Sequence, residues 1–442
     1  MGFPIGHSGV VVACASLLFG AFLGCGSERV PNQHAAPTAG SGAVGGHETT
    51  AAAGSAAVGG GSASAGSAQT GGVGATAGTS SDGGELSAGA SGTAGASGTT
   101  GAAGAAGAAG TGGSASSCLP GAAAASPWPG KNQVKTLDTE GQFQSDLSGL
   151  TFEPAEGGVL WASNNLSGKL FRLVQSGAGF VPDTANGWAA GKALRYPDGQ
   201  GQPDAEGVTL GASAADGVYI GSEHDGAAAS TSRPSVLRYD VSGAGASLTA
   251  THEWDLTALL PKLGANTGIE GITWVPDSFL TSQGFVDEAK QHAYAPAEYA
   301  NHGTGLFFVG IEESGKLYGF ALDHADGSAA LLATITTPNQ GAMGLEFDRD
   351  TGNLWFNCDD GCDNQAGVLR IDTQAGSASR GKFVTHRLFQ RPASLPDSNN
   401  EGIAIAPSSE CNAGFKRFFW TDDADASGFS LRTDLIPCAP CL

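Results

Sequence analysis

The sequence predicts an all-β fold, a β-propeller of five or six four-stranded blades, and two observations carry this prediction. A phrase made of a small or acidic residue, a Gly and a short apolar strand recurs five times, at intervals of roughly 60 to 70 residues. Each copy is followed by a second apolar strand that ends in polar residues. Repeats of strands and turns on this scale are typical of propellers, because each blade is one meander of strands. The copies begin at Ser148, Glu206, Glu270, Met343 and Glu401.

Residues 1–24 predict a lipoprotein-type signal peptide. Val10 to Leu23 is an uncharged apolar run. It is within the ~7–15 residues of a signal core and is shorter than the roughly 20 residues that a membrane span needs. The following Leu23-Gly24-Cys25 resembles a bacterial lipobox. We therefore expect acylation at Cys25 and an outward-facing, lipid-anchored location in the cell envelope, with simple secretion as the alternative.

Residues 25–117 predict a disordered linker. They are almost wholly Gly, Ala, Ser and Thr, and so they lack the apolar bulk that offsets the entropy of ordering. A Gly-rich coil of this length has an end-to-end distance of roughly 50–60 Å. The expected role is a tether, and low-complexity filler without a role is the alternative.

Residues 118–442 are expected to form the propeller domain. This segment contains 20 basic and 38 acidic residues, a net charge of −18. Nucleic acid is therefore excluded as a partner, since its recognition needs a basic surface, whereas cations are favoured. Six of the eight cysteines lie here, and in an exported domain they predict disulfides. Cys358 and Cys362 are placed to close a short loop, and Cys118 to tie the first strand to the tail that holds Cys438 and Cys441.

The strands of each repeat read as a meander. The second strands include Val159-Leu160-Trp161-Ala162 and Leu354-Trp355-Phe356, and third strands such as Val368-Leu369-Arg370-Ile371 follow in most repeats. These runs are rich in the β-branched and aromatic residues that strands favour. Residues 118 to 147, with Lys135-Thr136-Leu137 as a strand, are expected either to complete the last blade or to build a sixth.

Acidic side chains are expected to meet at one mouth of the central channel. In an antiparallel pair the start of the first strand lies beside the end of the second, so each motif residue neighbours its own polar cluster. Crowded carboxylates either take up protons or bind a cation, and oxygen ligands favour Ca²⁺. The predicted Ca²⁺ ligands are Glu206, Glu223, Glu270, Glu312, Asn357, Glu401 and Asp422. The alternative is a structural role, in which each motif Glu accepts backbone N–H groups of the neighbouring blade.

The motif residues also resemble a known group of proteins. Ser148-Gly149-Leu150-Thr151, Asp204-Ala205-Glu206-Gly207-Val208-Thr209 and Asn399-Asn400-Glu401-Gly402-Ile403-Ala404 are similar to signatures of exported bacterial propellers, the SdiA-regulated-type and phytase-like (esterase-like) families. More distantly, the pattern is similar to calcium-dependent gluconolactonase- and paraoxonase-type propellers. That resemblance implies Glu206, Glu270 and Glu401 as metal ligands in the channel. The basic cluster with which propeller phytases hold phosphates is not visible, which argues against phytate hydrolysis.

Two further features bear on chemistry. His224 lies between Glu223 and Asp225, so it is the candidate general base, against the alternative of a surface-loop histidine. Trp161, Trp274, Trp355 and Trp420 recur at strand positions and are expected to pack between blades. An insertion at 277–303 leaves from the face opposite the polar clusters, and we expect it to stabilise the domain or contact a partner.

Two function classes remain open. The first is a Ca²⁺-dependent hydrolase of esters or lactones. The second is a non-catalytic surface module that binds a small molecule, a glycan or a protein. In either case we expect a monomer that contacts the membrane only through its N-terminal lipid.

Overall fold

The computed structural model describes residues 124–155 and 157–438, which are nearly all strand and turn. The predicted signal peptide and linker, together with Cys25, Cys118 and Cys441, lie outside these residues. Among the described residues, no helix is long and apolar enough to cross a bilayer.

The described residues form five blades, as the repeat predicts. Strand β1 is Lys135–Thr136. Blade 1 contains β2 (Leu147–Glu153), β3 (Val159–Asn164), β4 (Lys169–Ser176), β5 (Gly179–Pro182) and β6 (Lys192–Arg195). Blade 2 contains β7 (Pro203–Leu210), β8 (Val218–Asp225), β9 (Ser232–Tyr239) and β11 (His252–Asp255), while β10 (Ser247–Thr249) pairs with β6 of blade 1.

The remaining three blades follow in chain order. Blade 3 contains β12 (Ile269–Pro276), β15 (Gly305–Ile311), β16 (Lys316–Leu322) and β17 (Ala329–Thr336). Its insertion carries helix α1 (Asp277–Ser282) and the hairpin of β13 (Val286–Asp287) and β14 (His292–Ala293). Blade 4 contains β18 (Leu345–Asp348), β19 (Asn353–Asn357), β20 (Ala366–Ile371) and β21 (Phe383–Phe389). Blade 5 contains β22 (Ile403–Ile405), β23 (Phe415–Thr421) and β24 (Leu431–Pro437).

Strand β1 completes blade 5. It pairs antiparallel with β24, so the sheet order is β1-β24-β23-β22. Of the two roles expected for the N-terminal segment, the completion of the last blade is therefore correct. The two ends of the domain are hydrogen-bonded into one sheet, which closes the ring.

The innermost strands form a closed circle around the axis. Strands β2, β7, β12, β18 and β22 each contact the innermost strand of both neighbouring blades. The motif glycines make this approach possible. A Cβ on Gly149 would lie 2.7 Å from Val208 N, and a Cβ on Gly207 would lie 2.7 Å from Ile272 N. The same contact recurs at Gly271, Gly344 and Gly402 toward Leu345, Ile403 and Leu150. The recurrent Gly is thus required because backbones of adjacent blades touch there.

The apolar core is divided among the five gaps between blades. One cluster fills each gap, and the predicted tryptophans lie in these clusters: Trp161 between blades 1 and 2, Trp274 between blades 2 and 3, and Trp355 and Trp420 between blades 4 and 5. All four side chains are buried. A domain of this size therefore buries its apolar surface radially rather than in one central core.

The blade 3 insertion packs against blades 3 and 4. Phe285 is buried, and its ring lies 6.1 Å from that of Phe308 in blade 3 and 5.9 Å from that of Phe383 in blade 4. His302 Nε2 lies 3.0 Å from Asp277 Oδ2, so the end of the insertion is joined to its start. The insertion thereby packs across the boundary between two blades.

The disulfides agree in part with the expectation. Cys358 and Cys362 are bonded and close the predicted short loop. Cys438 pairs with Cys411, so Cys438 is not available to Cys118, and the tie between that residue and the tail lies outside the described residues.

Candidate functional site

The motif glutamates of blades 2 and 3 are extra residues in β-bulges. Ala205 and Gly207 pair with the adjacent residues Ser222 and Gly221, which leaves Glu206 between them without a partner. Glu270 likewise has no partner in the strand pairing, because its neighbours Ile269 and Gly271 pair with the adjacent residues Ile311 and Gly310. A bulge changes the direction of a side chain relative to its strand. Here it lets the Gly pack against the next blade while the preceding Glu reaches the channel mouth.

A second recurrent device joins neighbouring blades beside the motif. The Ser163 hydroxyl accepts the Gly149 N–H (3.0 Å) and donates to the Glu206 carbonyl (3.1 Å). Thr421 makes the equivalent contacts with Gly402 N–H and the Ser148 carbonyl.

Asn357 belongs to the same set of contacts. Its Oδ1 accepts the Gly344 N–H (2.8 Å), and its Nδ2 donates to the Asn400 carbonyl (2.7 Å). The first polar residue of a terminal cluster is therefore a structural clamp in blades 1, 4 and 5.

Beyond these clamps lies a cavity of about 500 Å³ at one mouth of the channel, here called the acidic cavity. It is contacted by the motif residues Glu206, Glu270, Met343 and Glu401. Eight carboxylates line it: Asp146, Asp204, Glu206, Glu270, Glu312, Asp359, Glu401 and Asp423. The lining includes no lysine or arginine among the described residues, and His224 is its one titratable base.

The three motif glutamates lie near one another, as the channel geometry predicts. Burial raises the pKa of Glu206, and the charges of Glu401 and Asp204 raise it further. Burial likewise raises the pKa of Glu270, together with the charges of Glu206 and Glu223. The pKa of Glu401 is also raised by burial and then by the charge of Asp423. These side chains come from three different blades and repel one another across the axis.

Hydrogen bonding leaves this group incompletely satisfied. Glu206 accepts from the Ser148 hydroxyl (2.7 Å) and from Asn165 Nδ2 (3.0 Å). Glu401 Oε1 accepts from Asn399 Nδ2 (2.8 Å). Glu401 Oε2 is buried and forms no hydrogen bond of normal geometry with a described residue, although the nearby Ser148 hydroxyl opposes the rise in the pKa of Glu401. A buried carboxylate oxygen without a donor is costly unless a proton or a cation occupies the space beside it.

Glu223 bonds a backbone N–H of the neighbouring blade, which is the contact that the structural alternative predicted for the motif glutamates. Its Oε1 accepts the backbone N–H of Gly268 in blade 3. One oxygen from each of Glu223, Glu270 and Glu312 nevertheless lies within 4.8 Å of the others. Burial raises the pKa of Glu312 to about 7, with the Glu223 charge as the second cause.

His224 is a buried residue of the acidic cavity rather than a surface-loop histidine. Its Nδ1 lies 3.0 Å from Asp204 Oδ2 and 3.8 Å from Glu223 Oε2. The contact between His224 Nδ1 and Asp204 Oδ2 does not have the geometry of a hydrogen bond. The pKa of His224 is raised, chiefly through its interaction with Glu223. The ring is therefore held between two carboxylates.

The predicted ligand set divides into two groups. Glu206, Glu270, Glu312 and Glu401 line the acidic cavity, and Glu223 borders it. Asn357 is a clamp, as described above. Asp422 is fully buried, and its Oδ2 lies 2.6 Å from Arg432 Nη1. Asn357 and Asp422 are thus outside the cavity, and we remove both from the candidate ligands.

The two acidic residues that follow β23 face different surroundings. Strand β23 ends at Thr421, after which Asp422 contacts Arg432 and Asp423 lines the cavity.

The sequence interpretation overlooked four cavity carboxylates, namely Asp146, Asp204, Asp359 and Asp423. The sequence contains a signal for Asp359 and Asp423, since each lies two positions after the clamp residue of its blade. Glu312 lies two positions after Gly310, which pairs with the motif Gly of its blade. Taking the residue two positions after the one that faces the motif Gly would therefore have selected all three. Asp146 and Asp204 share the position two residues before the motif residue.

Comparisons with known proteins leave the family open. No protein-family model and no curated protein matches the chain. Among solved structures, the PQQ-bound aldose sugar dehydrogenase of Streptomyces coelicolor is 12% identical, with a TM-score of 0.34, over 69% of this chain and 98% of that one. Hydrazine synthase of Kuenenia stuttgartiensis is 14% identical, with a TM-score of 0.32, over 65% of this chain and 58% of that one. A protein from Lactobacillus plantarum is 12% identical, with a TM-score of 0.27, over 66% of this chain and 67% of that one.

Proposed function

We propose that the chain is a calcium-dependent hydrolase of esters or lactones, with its metal in the acidic cavity. The observation that carries this proposal is the buried Glu401 Oε2, which forms no hydrogen bond of normal geometry with a described residue and lines a cavity with seven further carboxylates. A cation there would satisfy this oxygen and relieve the repulsion among the motif glutamates. Oxygen donors in this number suit Ca²⁺, which takes six to eight of them in flexible geometry.

The residues present fit such an ion. Glu206, Glu270 and Glu401 are the first candidates, because they come from three blades and their charges act on one another. One oxygen from each of Glu223, Glu270 and Glu312 lies within 4.8 Å of the others, so these residues are candidates as well. Asn165 and Asn399 also line the cavity and already hydrogen-bond two of these glutamates. Their amide oxygens are further ligands of the type that Ca²⁺ accepts.

The chemistry follows from the same residues. When bound, Ca²⁺ would polarise an ester carbonyl or lower the pKa of a bound water. His224, held beside Asp204 and Glu223, is placed to accept a proton from water within the cavity. Water within the cavity is the proposed nucleophile, since the lining contains no serine, cysteine or lysine among the described residues.

Non-catalytic binding of a small molecule or glycan is the second candidate. The observation that favours it is the set of amide side chains in the same cavity, Asn165, Gln202, Asn266 and Asn399. Amides both donate and accept hydrogen bonds, as recognition of sugar hydroxyls requires.

The test combines metal binding with turnover. Calorimetric Ca²⁺ titration and a panel of aryl esters and lactones, each with Ca²⁺ and with chelator, would be applied to the wild type and to E206Q, E270Q and E401Q. E346Q, a buried glutamate at the other end of the channel, is the matched control. Activity that is lost with chelator and in the three variants supports the hydrolase. Ca²⁺ binding without turnover supports the binding module. Absence of Ca²⁺ binding by the wild type would refute the metal site.

We also propose that the chain is exported and anchored through a lipid on Cys25, and that it belongs with the SdiA-regulated-type or phytase-like propellers. The lipobox-like sequence, the D-x-E-G motif that begins at Asp204 and the similar N-x-E-G motif that begins at Asn399 support these assignments. Loss of membrane fractionation in C25S, with retention in C14S, would test the anchor.

A further inference from the structure

A second cavity, of about 280 Å³, lies at the opposite mouth of the channel. Four inner-strand residues form its floor, and each lies three positions after the motif residue of its blade: Thr151, Thr209, Thr273 and Glu346. We call it the threonine cavity. It shares no lining residue with the acidic cavity. The two therefore occupy opposite ends of the same inner strands.

Glu346 stands where blades 1 to 3 place a threonine, and it is buried. Among the described residues its one hydrogen-bond donor is the Thr151 hydroxyl, 3.2 Å from Oε2. A buried carboxylate normally accepts several hydrogen bonds or pairs with a cation. Glu346 therefore has unused acceptor capacity on the floor of the threonine cavity.

The nearby cations are engaged elsewhere. Arg349 donates to the carbonyls of Gly211 (2.7 Å) and Ala212 (3.0 Å), and its guanidinium lies 4.7 Å from the centre of the Trp274 ring. Lys416 Nζ is buried and lies 2.8 Å from Asp348 Oδ2. Neither cation forms an ion pair with Glu346 among the described residues, although Arg349 lines the same cavity and its charge opposes the rise in the pKa of Glu346. A cationic ligand would be the missing partner.

The walls determine what kind of cation fits. They are largely apolar, and include Phe152, Leu210, Trp274 and Ile405. The lining carboxylates do not converge as metal ligands do, since no group of three ligand atoms within 4.8 Å of one another among the described residues includes Glu346. An anion would meet Glu346, Asp350 and Glu153. The volume is at the small end of ligand pockets, which range over roughly 300–1,000 Å³.

We propose that the threonine cavity binds a small organic ammonium ion, whose N–H groups bond the Glu346 carboxylate and the Thr209 and Thr273 hydroxyls while its apolar body packs against Leu210 and Trp274. This site is independent of the proposed metal site. It adds a ligand of a second chemical class at the other end of the channel.

The protonation of Glu346 gives the binding a pH signature. Burial raises the pKa of Glu346 to about 8, and the charge of Asp348 adds to this rise. The charges of Arg349 and Lys416 and the hydrogen bond from the Thr151 hydroxyl lower the pKa in part. An ammonium ion binds the ionised carboxylate, and an alkylammonium with a pKa near that of lysine, about 10.4, stays charged through this range. Affinity should therefore rise about tenfold from pH 7 to pH 9.

The experiment is calorimetric titration of the full chain with 2-phenylethylammonium and with 2-phenylethanol at pH 7 and pH 9, with Ca²⁺ saturating. The ammonium ion is expected to bind more tightly at pH 9, and the alcohol is not. E346Q should lose at least tenfold in affinity, whereas E270Q in the acidic cavity should bind as the wild type does.

A second pair of variants covers a failure of E346Q to fold. Ala212 is exposed at the rim of the threonine cavity, and Ala215 is exposed but outside it. A212W should block binding and A215W should not. Equal binding of the alcohol, loss of binding in E270Q but not in E346Q, or no binding by the wild type would each overturn the proposal.

Discussion

The Ser148 hydroxyl donates a hydrogen bond of 2.7 Å to Glu206 Oε2, across the boundary between blades 1 and 2. Both residues occupy the motif position of their blades. The motif residue of blade 1 thus donates a hydrogen bond to the motif carboxylate of blade 2. Blade 1 has Ser148 where blades 2, 3 and 5 have a glutamate, and this serine helps to hold the Glu206 carboxylate in place.

Replacement of this serine should destabilise the metal-free protein. S148A removes the hydroxyl and leaves Glu206 with only the Asn165 amide, so we expect a loss of roughly 1–2 kcal/mol in the free energy of unfolding. Urea denaturation in chelator would measure it. S213A is the control, since the exposed Ser213 hydroxyl bonds only Asp216 and its loss should cost less than ~0.5 kcal/mol. Equal losses in the two variants would contradict the assigned role.

The motif glycines should not tolerate a methyl group. In G207A the new Cβ would lie 2.7 Å from Ile272 N, so two blades would have to separate. We expect a loss of roughly 1–3 kcal/mol in unfolding free energy. G243A is the matched control, because a Cβ there meets no atom within 4 Å. Thermal denaturation that fails to separate G207A from G243A would show that the blades do not meet as closely as described.

Glu346 should make stability depend on pH. Its folded pKa is raised to about 8 by burial, so the folded state binds its proton more tightly than the unfolded state does. The contribution of Glu346 to wild-type stability should therefore fall as pH rises from about 4.5 to about 8 and level off above that, by at most about 5 kcal/mol. The E346Q side chain cannot ionise, so this variant lacks the loss of stability. The free energy of unfolding of E346Q minus that of the wild type should therefore grow with pH across this window, as measured by urea denaturation in chelator.

The exposed Glu140 provides a control for this pH effect. E140Q should track the wild type at every pH. A gain in E346Q that is constant from pH 5 to pH 9 would show that Glu346 is ionised in the folded protein throughout.

The Cys358–Cys362 loop should support the acidic cavity. It contains Asp359, which lines the cavity and whose Oδ1 accepts the Gly361 N–H (2.9 Å). Replacing both cysteines by serine should weaken Ca²⁺ binding several-fold by calorimetry and cost about 2 kcal/mol of stability. The matched control is C411S/C438S, a longer loop away from the cavity. It should cost about 3–4 kcal/mol of stability and leave Ca²⁺ affinity unchanged. A weakening of affinity in the control alone would refute this role for the loop.

Much of the fold was predictable because local patterns repeat. The Gly-containing phrase located β2, β7, β12, β18 and β22, and the aromatic runs located the strands that pair with them. The site was harder. Glu206, Glu270 and Glu401 were identified from their place in the phrase, whereas Asp423 was missed in favour of Asp422, because the face that a residue presents depends on register and on bulges. Neither can be read from one strand by itself.

By itself, the sequence determined that this chain repeats a strand meander five times, and that each repeat opens with a Gly after a small or acidic residue. Only the tertiary structure decided why that Gly is required and which acids share a cavity. Both depend on contacts between blades that are far apart along the chain. The backbone of Gly207 meets that of Ile272, and the Glu206 carboxylate meets Ser148 in the other direction. Closure of the ring by β1 fixes these distances, and no local pattern encodes them.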